Sequence, residues 1–277
     1  MKKFFIALTL SLFIAPLFAQ EESAAVSNTF ATSTIVDNQS VSVPFKGSME
    51  LQIQHRFSPI ENIKNLYGIY GAANTRMSLN FGLGDRLTVG VGTAKDYKLQ
   101  DIQWKYIILQ QKEDNSMPVT LAYYGNITAD LRNESNFGPE ASFKEMHRLS
   151  YFTQLILARK FGEKFSLQVA PSLAYFNSVQ YIDETNGYEN LNFGLSAGAR
   201  YNMFGNHSLM LEYDQLLTKQ ELVEQPKPNI AFAWEINTGT HAFQVFVTKY
   251  SLLNNQYNLL YTGTNDYMVG FNITVRF

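Results

Sequence analysis

The sequence contains no cysteine. That excludes a disulfide framework, a thiolate metal site, a cysteine nucleophile and a lipid-modified N-terminal cysteine. Charge is also scarce, since Asp, Glu, Lys and Arg make up 17% of the 277 residues, below the usual quarter. Lys and Arg number 22 against 24 Asp and Glu, which leaves no basic footprint, so nucleic acid is not an expected partner. No apolar run reaches the ~18 residues of a membrane-spanning helix. A mean hydropathy of −0.15 likewise excludes a polytopic helical membrane protein. There are four histidines but no HxH, HExxH or Asp-rich calcium loop, so neither a metal nor another cofactor is expected. Aromatic residues, in contrast, are plentiful, with 16 Tyr and 21 Phe.

The chain opens on an address. Met1, Lys2 and Lys3 supply a positive start, residues 4–17 are apolar, and Ala19 places a small residue before an expected cut at Ala19/Gln20. This is the three-part layout of a secretory signal peptide, so residues 1–19 are expected to be removed on export.

From Gly47 onward the chain alternates apolar and polar with period 2, the signature of strands with two unlike faces. The last segment is the cleanest. Tyr267, Val269, Phe271, Ile273, Val275 and Phe277 share one face; Asp266, Met268, Gly270, Asn272, Thr274 and Arg276 share the other. Twelve such segments are predicted, and no helical period follows the signal peptide. Every second connection is short and rich in turn residues: 84–85, 112–116, 162–164, 204–207 and 238–240. The others are long and polar (58–71, 131–145, 177–190, 218–228 and 251–264), with 94–98 as the short exception. An even number of strands with sorted loops predicts an all-β fold: a closed antiparallel transmembrane β-barrel with long extracellular loops and short periplasmic turns.

The two faces decide between lipid and water outside. The apolar face carries no Asp, Glu, Lys or Arg between strand ends, as a lipid face requires. Aromatic girdles are expected from Phe57, Tyr175, Tyr250 and Tyr267 above, and from Phe81, Phe161, Phe165 and Phe204 below. The opposite face predicts a lumen charge network of Glu50, Arg56, Arg76, Lys105, Arg200, Glu212, Asp214 and Glu235, four of each sign. A desolvated charge is retained when a partner neutralises it, so these residues are expected to pair across the barrel. Tyr124, Phe152, Phe176 and Phe246 also point inward and are expected to fill space.

The signal peptide, the twelve-strand pattern and the terminal Phe277, with Val275 and Ile273 behind it at alternate positions, resemble a Gram-negative outer-membrane β-barrel protein. More narrowly, Asn28-Thr29-Phe30-Ala31-Thr32, Gln39-Ser40-Val41, His55-Arg56-Phe57 and Leu157-Ala158-Arg159-Lys160-Phe161 are similar to an uncharacterised barrel family, a domain of unknown function. The first resemblance implies localisation in the outer membrane among its lipids. It also implies that Ile273, Val275 and Phe277 serve as the signal read by the barrel-assembly machinery. The family supplies no catalytic residues.

Three regions follow: a signal peptide at 1–19, an N-terminal segment at 20–46 and a barrel at 47–277. The middle one is Ser/Thr/Asn-rich yet contains Phe30, Ile35, Val36, Val41, Val43 and Phe45, too apolar for an inert linker. It is expected to be a periplasmic strap or a partial plug in the lumen. The leading functional expectation is a narrow or gated pathway for a small solute, since a barrel of this size has a lumen that side chains nearly fill. The alternative is a structural or docking barrel with a closed lumen. A membrane-embedded hydrolase comes third. His147 and Ser150, three apart, would face opposite ways on a strand. No catalytic residues are nominated, and an enzyme is not expected.

Overall fold

The computed structural model describes residues 23–138, 142–180, 187–222, 224–261 and 266–277. The expected signal peptide lies outside the described residues. Twelve antiparallel strands follow one another around a closed barrel. They are β1 (Met49–Pro59), β2 (Asn74–Gly82), β3 (Leu87–Ala94), β4 (Leu99–Leu109), β5 (Thr120–Asp130) and β6 (Leu149–Phe161). The second half comprises β7 (Phe165–Phe176), β8 (Leu191–Phe204), β9 (His207–Leu216), β10 (Asn229–Asn237), β11 (His241–Thr248) and β12 (Met268–Arg276). β1 pairs with β12 to close the sheet, with Leu51 opposite Val275, Ile53 opposite Ile273 and Gln54 opposite Asn272. Closure matters because lipid offers no hydrogen-bond partner to an open strand edge.

The sorted connections follow the predicted pattern. The tightest turn, Gly205-Asn206 between β8 and β9, has Gly205 at φ +53°. A left-handed residue there matches the right-handed twist of the strands it joins, and glycine adopts it without steric cost.

Burial alternates strictly along most strands. The residues that face outward form a contiguous apolar band, with Met77, Val91, Ile102, Phe232 and Val245 at least half exposed. A band of this extent marks a surface made for lipid. His55 belongs to it, stacked on Phe271 at 4.9 Å between ring centres and tilted against Phe57 at 4.5 Å. Of the expected girdle residues, Tyr175, Tyr267, Phe81, Phe161, Phe165 and Phe204 are exposed as a girdle requires. Tyr250 is a correction: it is 4% exposed, turned inward beyond the end of β11.

Two segments outside the strands occupy the interior. The connection between β11 and β12, expected to be a solvated loop, instead turns into the outer mouth and forms a short helix, α1 (Asn255–Leu260). Five of its six residues are buried. The N-terminal segment enters from the other end. Near the periplasmic turns Ala25 bridges Lys112, and the Val26 N–H donates to Gln111 O at 2.8 Å. Beyond that anchor the chain runs up inside the barrel and returns to β1, where the Gly47 N–H donates to Gly82 O at 2.7 Å.

Candidate functional site in the barrel lumen

Inside the lumen the N-terminal segment folds into a hairpin. Thr34 bridges Gln39, the Ile35 N–H donates to Asn38 O at 2.8 Å, and the Ser40 N–H donates to Ser33 O at 2.9 Å. Its tip is Val36-Asp37-Asn38. Phe30, Ile35, Val36 and Val41 are all buried, with Ile35 fully so. The room for them comes from small inward residues on β7, β8 and β10: Ala170, Ser172, Ala174, Gly194, Ser196, Gly198, Ala231 and Ala233. Gly198 is the close approach: a Cβ there would overlap Ile35 Cδ1. At Gly194 a Cβ would lie 2.8 Å from Leu259 of α1. One wall is therefore a groove of small side chains, filled by residues from elsewhere in the chain.

All eight predicted lumen charges are buried. Their partners differ from the expected pairing across the barrel. Only Arg200 and Glu235 pair with each other, at 2.8 Å and two strands apart. Arg76 on β2 binds Asp101 on β4 at 2.8 Å, and Asp101 was not among the predicted residues. Arg56 pairs at 2.8 Å with Asp37, at the hairpin tip. Lys105 donates to the carbonyls of Ser33 (2.8 Å) and Ser42 (3.1 Å). Glu50 accepts from Ser33 Oγ and from Gln52 Nε2, and lies 3.5 Å from Arg276. Asp214 accepts from Asn229 at 2.9 Å and from Asn38 of the hairpin.

Glu212 takes its donors from the hairpin backbone. The N–H groups of Val36, Asp37 and Asn38 each lie 3.1 Å from its carboxylate. Successive N–H groups of a turn converging on one anion form a nest, which neutralises a buried carboxylate without a cation. Further wall amides hold the hairpin's carbonyls: Gln168 donates to Gln39 O at 2.7 Å, and Asn272 to Val36 O at 2.8 Å. Phe152, Phe176, Phe246 and Tyr124 fill space inward, as expected.

From the outer side α1 completes the packing. Gln256 Nε2 reaches Asn126 Oδ1 (2.8 Å), Thr128 Oγ1 (2.9 Å) and Ser150 Oγ (3.2 Å). Tyr257 packs edge-on to Phe176 at 5.3 Å and places its hydroxyl 3.4 Å from Asp130. Burial, with Asp130 beside it, pushes the Tyr257 phenol well above the usual tyrosine value, so it stays a donor. Asn255 Nδ2 touches Asp37 O at 3.3 Å, so the two inserted segments meet. Gln256→Ala should cost the loop about 1–3 kcal/mol of local stability. The expected readout is faster amide exchange at Asn255 to Leu260 with the strands unchanged; equal protection would mean that the aromatic packing alone holds the loop.

Between these segments little space remains. Three lumen cavities, two of them beside Asp37 and one beside Lys105, measure about 10 Å³ each. That is at most room for a single water.

A protein-family profile described as "Membrane bound beta barrel domain (DUF5777)" matches residues 30–277. No curated protein matches the sequence. Among solved structures, the NanC porin superposes with a TM-score of 0.52 at 8% identity, over 82% of this chain and 98% of that one. The KdgM porin gives 0.49 at 8%, over 83% and 99%. Outer membrane phospholipase A from Escherichia coli gives 0.45 at 13%, over 90% and 98%. These likenesses concern the barrel fold. They also correct one expectation: barrels of this fold include an outer membrane phospholipase, so the fold does not make the chain a non-enzyme.

Proposed function

The chain belongs to this membrane-bound β-barrel family, and from its lumen we propose that it forms a narrow, gated pathway for a small solute across the outer membrane. The N-terminal hairpin is the gate. One observation carries the reading: the small-residue side of β7, β8 and β10 is filled by a segment held only by non-covalent contacts, polar at its tip and apolar at Phe30, Ile35 and Val41. Water can replace the polar contacts at modest net cost. The wall keeps its own pairs, Arg76–Asp101 and Arg200–Glu235, when the segment leaves. An extended chain covers about 3.3 Å per residue, so the stretch between Val26 and Gly47 can swing out with both anchors attached.

The test is single-channel conductance in a planar bilayer. The chain from Gln20 onward should stay silent or open briefly, and a variant with residues 29–43 replaced by a Gly-Ser linker should give discrete, sustained steps. A linker variant that folds and inserts yet stays silent would overturn the pathway. It would favour a closed docking barrel that presents its N-terminal segment to a periplasmic partner.

A further inference from the structure

Asp37 is held at both ends by wall residues of opposite charge. Its carboxylate accepts from Arg56 Nη2 at 2.8 Å through Oδ1, and from Thr248 Oγ1 at 2.9 Å through Oδ2. Its own N–H donates to Glu212 at 3.1 Å, flanked by the N–H groups of Val36 and Asn38. Arg56, Thr248 and Glu212 are each 1% exposed or less. They come from β1, β11 and β9, so the sheet rather than the hairpin fixes them. Asn272 Oδ1, 3.0 Å from Arg56 Nη1, and the Phe246 ring, 4.3 Å from the guanidinium carbon, fix the arginine further. The wall thus presents a cationic corner and an anionic corner separated by the length of one amino-acid residue.

Withdrawing the hairpin leaves both corners with water in place of their partners, in a confined lumen where a charge is less well solvated than in bulk. Three strands, β10 to β12, separate β9 from β1 at about 4.8 Å each, so Arg56 and Glu212 do not simply close on one another. A monoanion would satisfy Arg56 alone, and a monocation Glu212 alone. A solute bearing both charges satisfies both.

We propose that Arg56, Thr248 and Glu212 form a binding site for a small zwitterionic aminocarboxylate, for which Asp37 is the built-in stand-in. Arg56 and Thr248 receive the carboxylate and Glu212 the ammonium. In Asp37 two carbons separate the nitrogen from the carboxyl carbon, which is the spacing of a β-amino acid. The site rests on the pathway reading for how a solute reaches it, and binding can be measured apart from passage.

The experiment is equilibrium binding of labelled β-alanine to the detergent-solubilised barrel. Propionate and propylamine serve as single-charge controls. Asp37→Ala and the 29–43 linker variant should both bind β-alanine at least about tenfold more tightly than either control, and more tightly than the parent chain. Adding Arg56→Gln or Glu212→Gln to the linker variant should abolish the preference. Thr248→Val, which keeps the packing and removes one hydroxyl, should weaken β-alanine binding by a smaller factor. A folded linker variant that binds all three compounds alike, or that keeps its preference after Glu212→Gln, overturns the site. Conductance without this preference refutes the site and leaves the pathway standing; preference without conductance refutes the pathway and leaves the site.

Discussion

Arg76→Leu should lower the stability of the barrel by about 3–5 kcal/mol and leave its conductance unchanged. Arg76 meets Asp101 through both Nη2 and Nε, at 2.8 and 3.2 Å, and donates to Gln54 Oε1 at 3.2 Å. Both side chains of the pair are almost fully buried. Leucine removes the cation and strands a carboxylate in the lumen, the costly half of breaking such a pair, whereas replacing both partners with apolar residues is often neutral. Arg76→Leu/Asp101→Leu should therefore recover most of the loss. Urea unfolding in detergent micelles, followed by tryptophan fluorescence, measures the difference. Neither residue bonds to the N-terminal hairpin, so the change belongs to the wall and not to the gate. A conducting Arg76→Leu variant with normal stability would show that this pair, and not the hairpin, sets the constriction.

The barrel was legible in the sequence because lipid outside and polar groups inside impose opposite chemistries on alternate residues. Twelve segments, their loop sorting and all eight inward charges follow from that parity. The partners of those charges were not legible. Asp37 sits in a Ser/Thr/Asn-rich stretch with no period, where an acidic residue reads as an ordinary loop position, yet it neutralises Arg56. Asp101 does have inward parity, next to Gln103 on the same face of β4, and counting by parity alone would have found it. Parity also places Tyr250 inward, with Thr248, and outweighs its position near a strand end. The six residues of α1 span fewer than two turns, too few for a 3.6-residue period to show. Backbone groups carry no sequence identity, so the nest that receives Glu212 is invisible before the hairpin is seen.

Gly198→Leu should convert a silent barrel into a conducting one. Gly198 lies on β8 between Gln168 and Glu212 of the neighbouring strands, held by ladder hydrogen bonds on both sides. Ile35, fully buried, sits where even a Cβ on residue 198 would be. A leucine there cannot be absorbed by the wall, because shifting β8 would break two ladders, while the hairpin is free to move between its anchors. Overpacking costs about 1–3 kcal/mol, and losing the Ile35 seat removes a further ~1.5–3 kcal/mol of burial. At 1.4 kcal/mol per tenfold, the open population should rise by about two orders of magnitude or more. Single-channel recording reads this as open probability. Ile35→Ala in the same chain returns the space to the new leucine and should restore closure. Conductance in the single variant with silence in the double identifies the hairpin as the gate. A folded Gly198→Leu barrel that remains silent would show that the hairpin is not the gate.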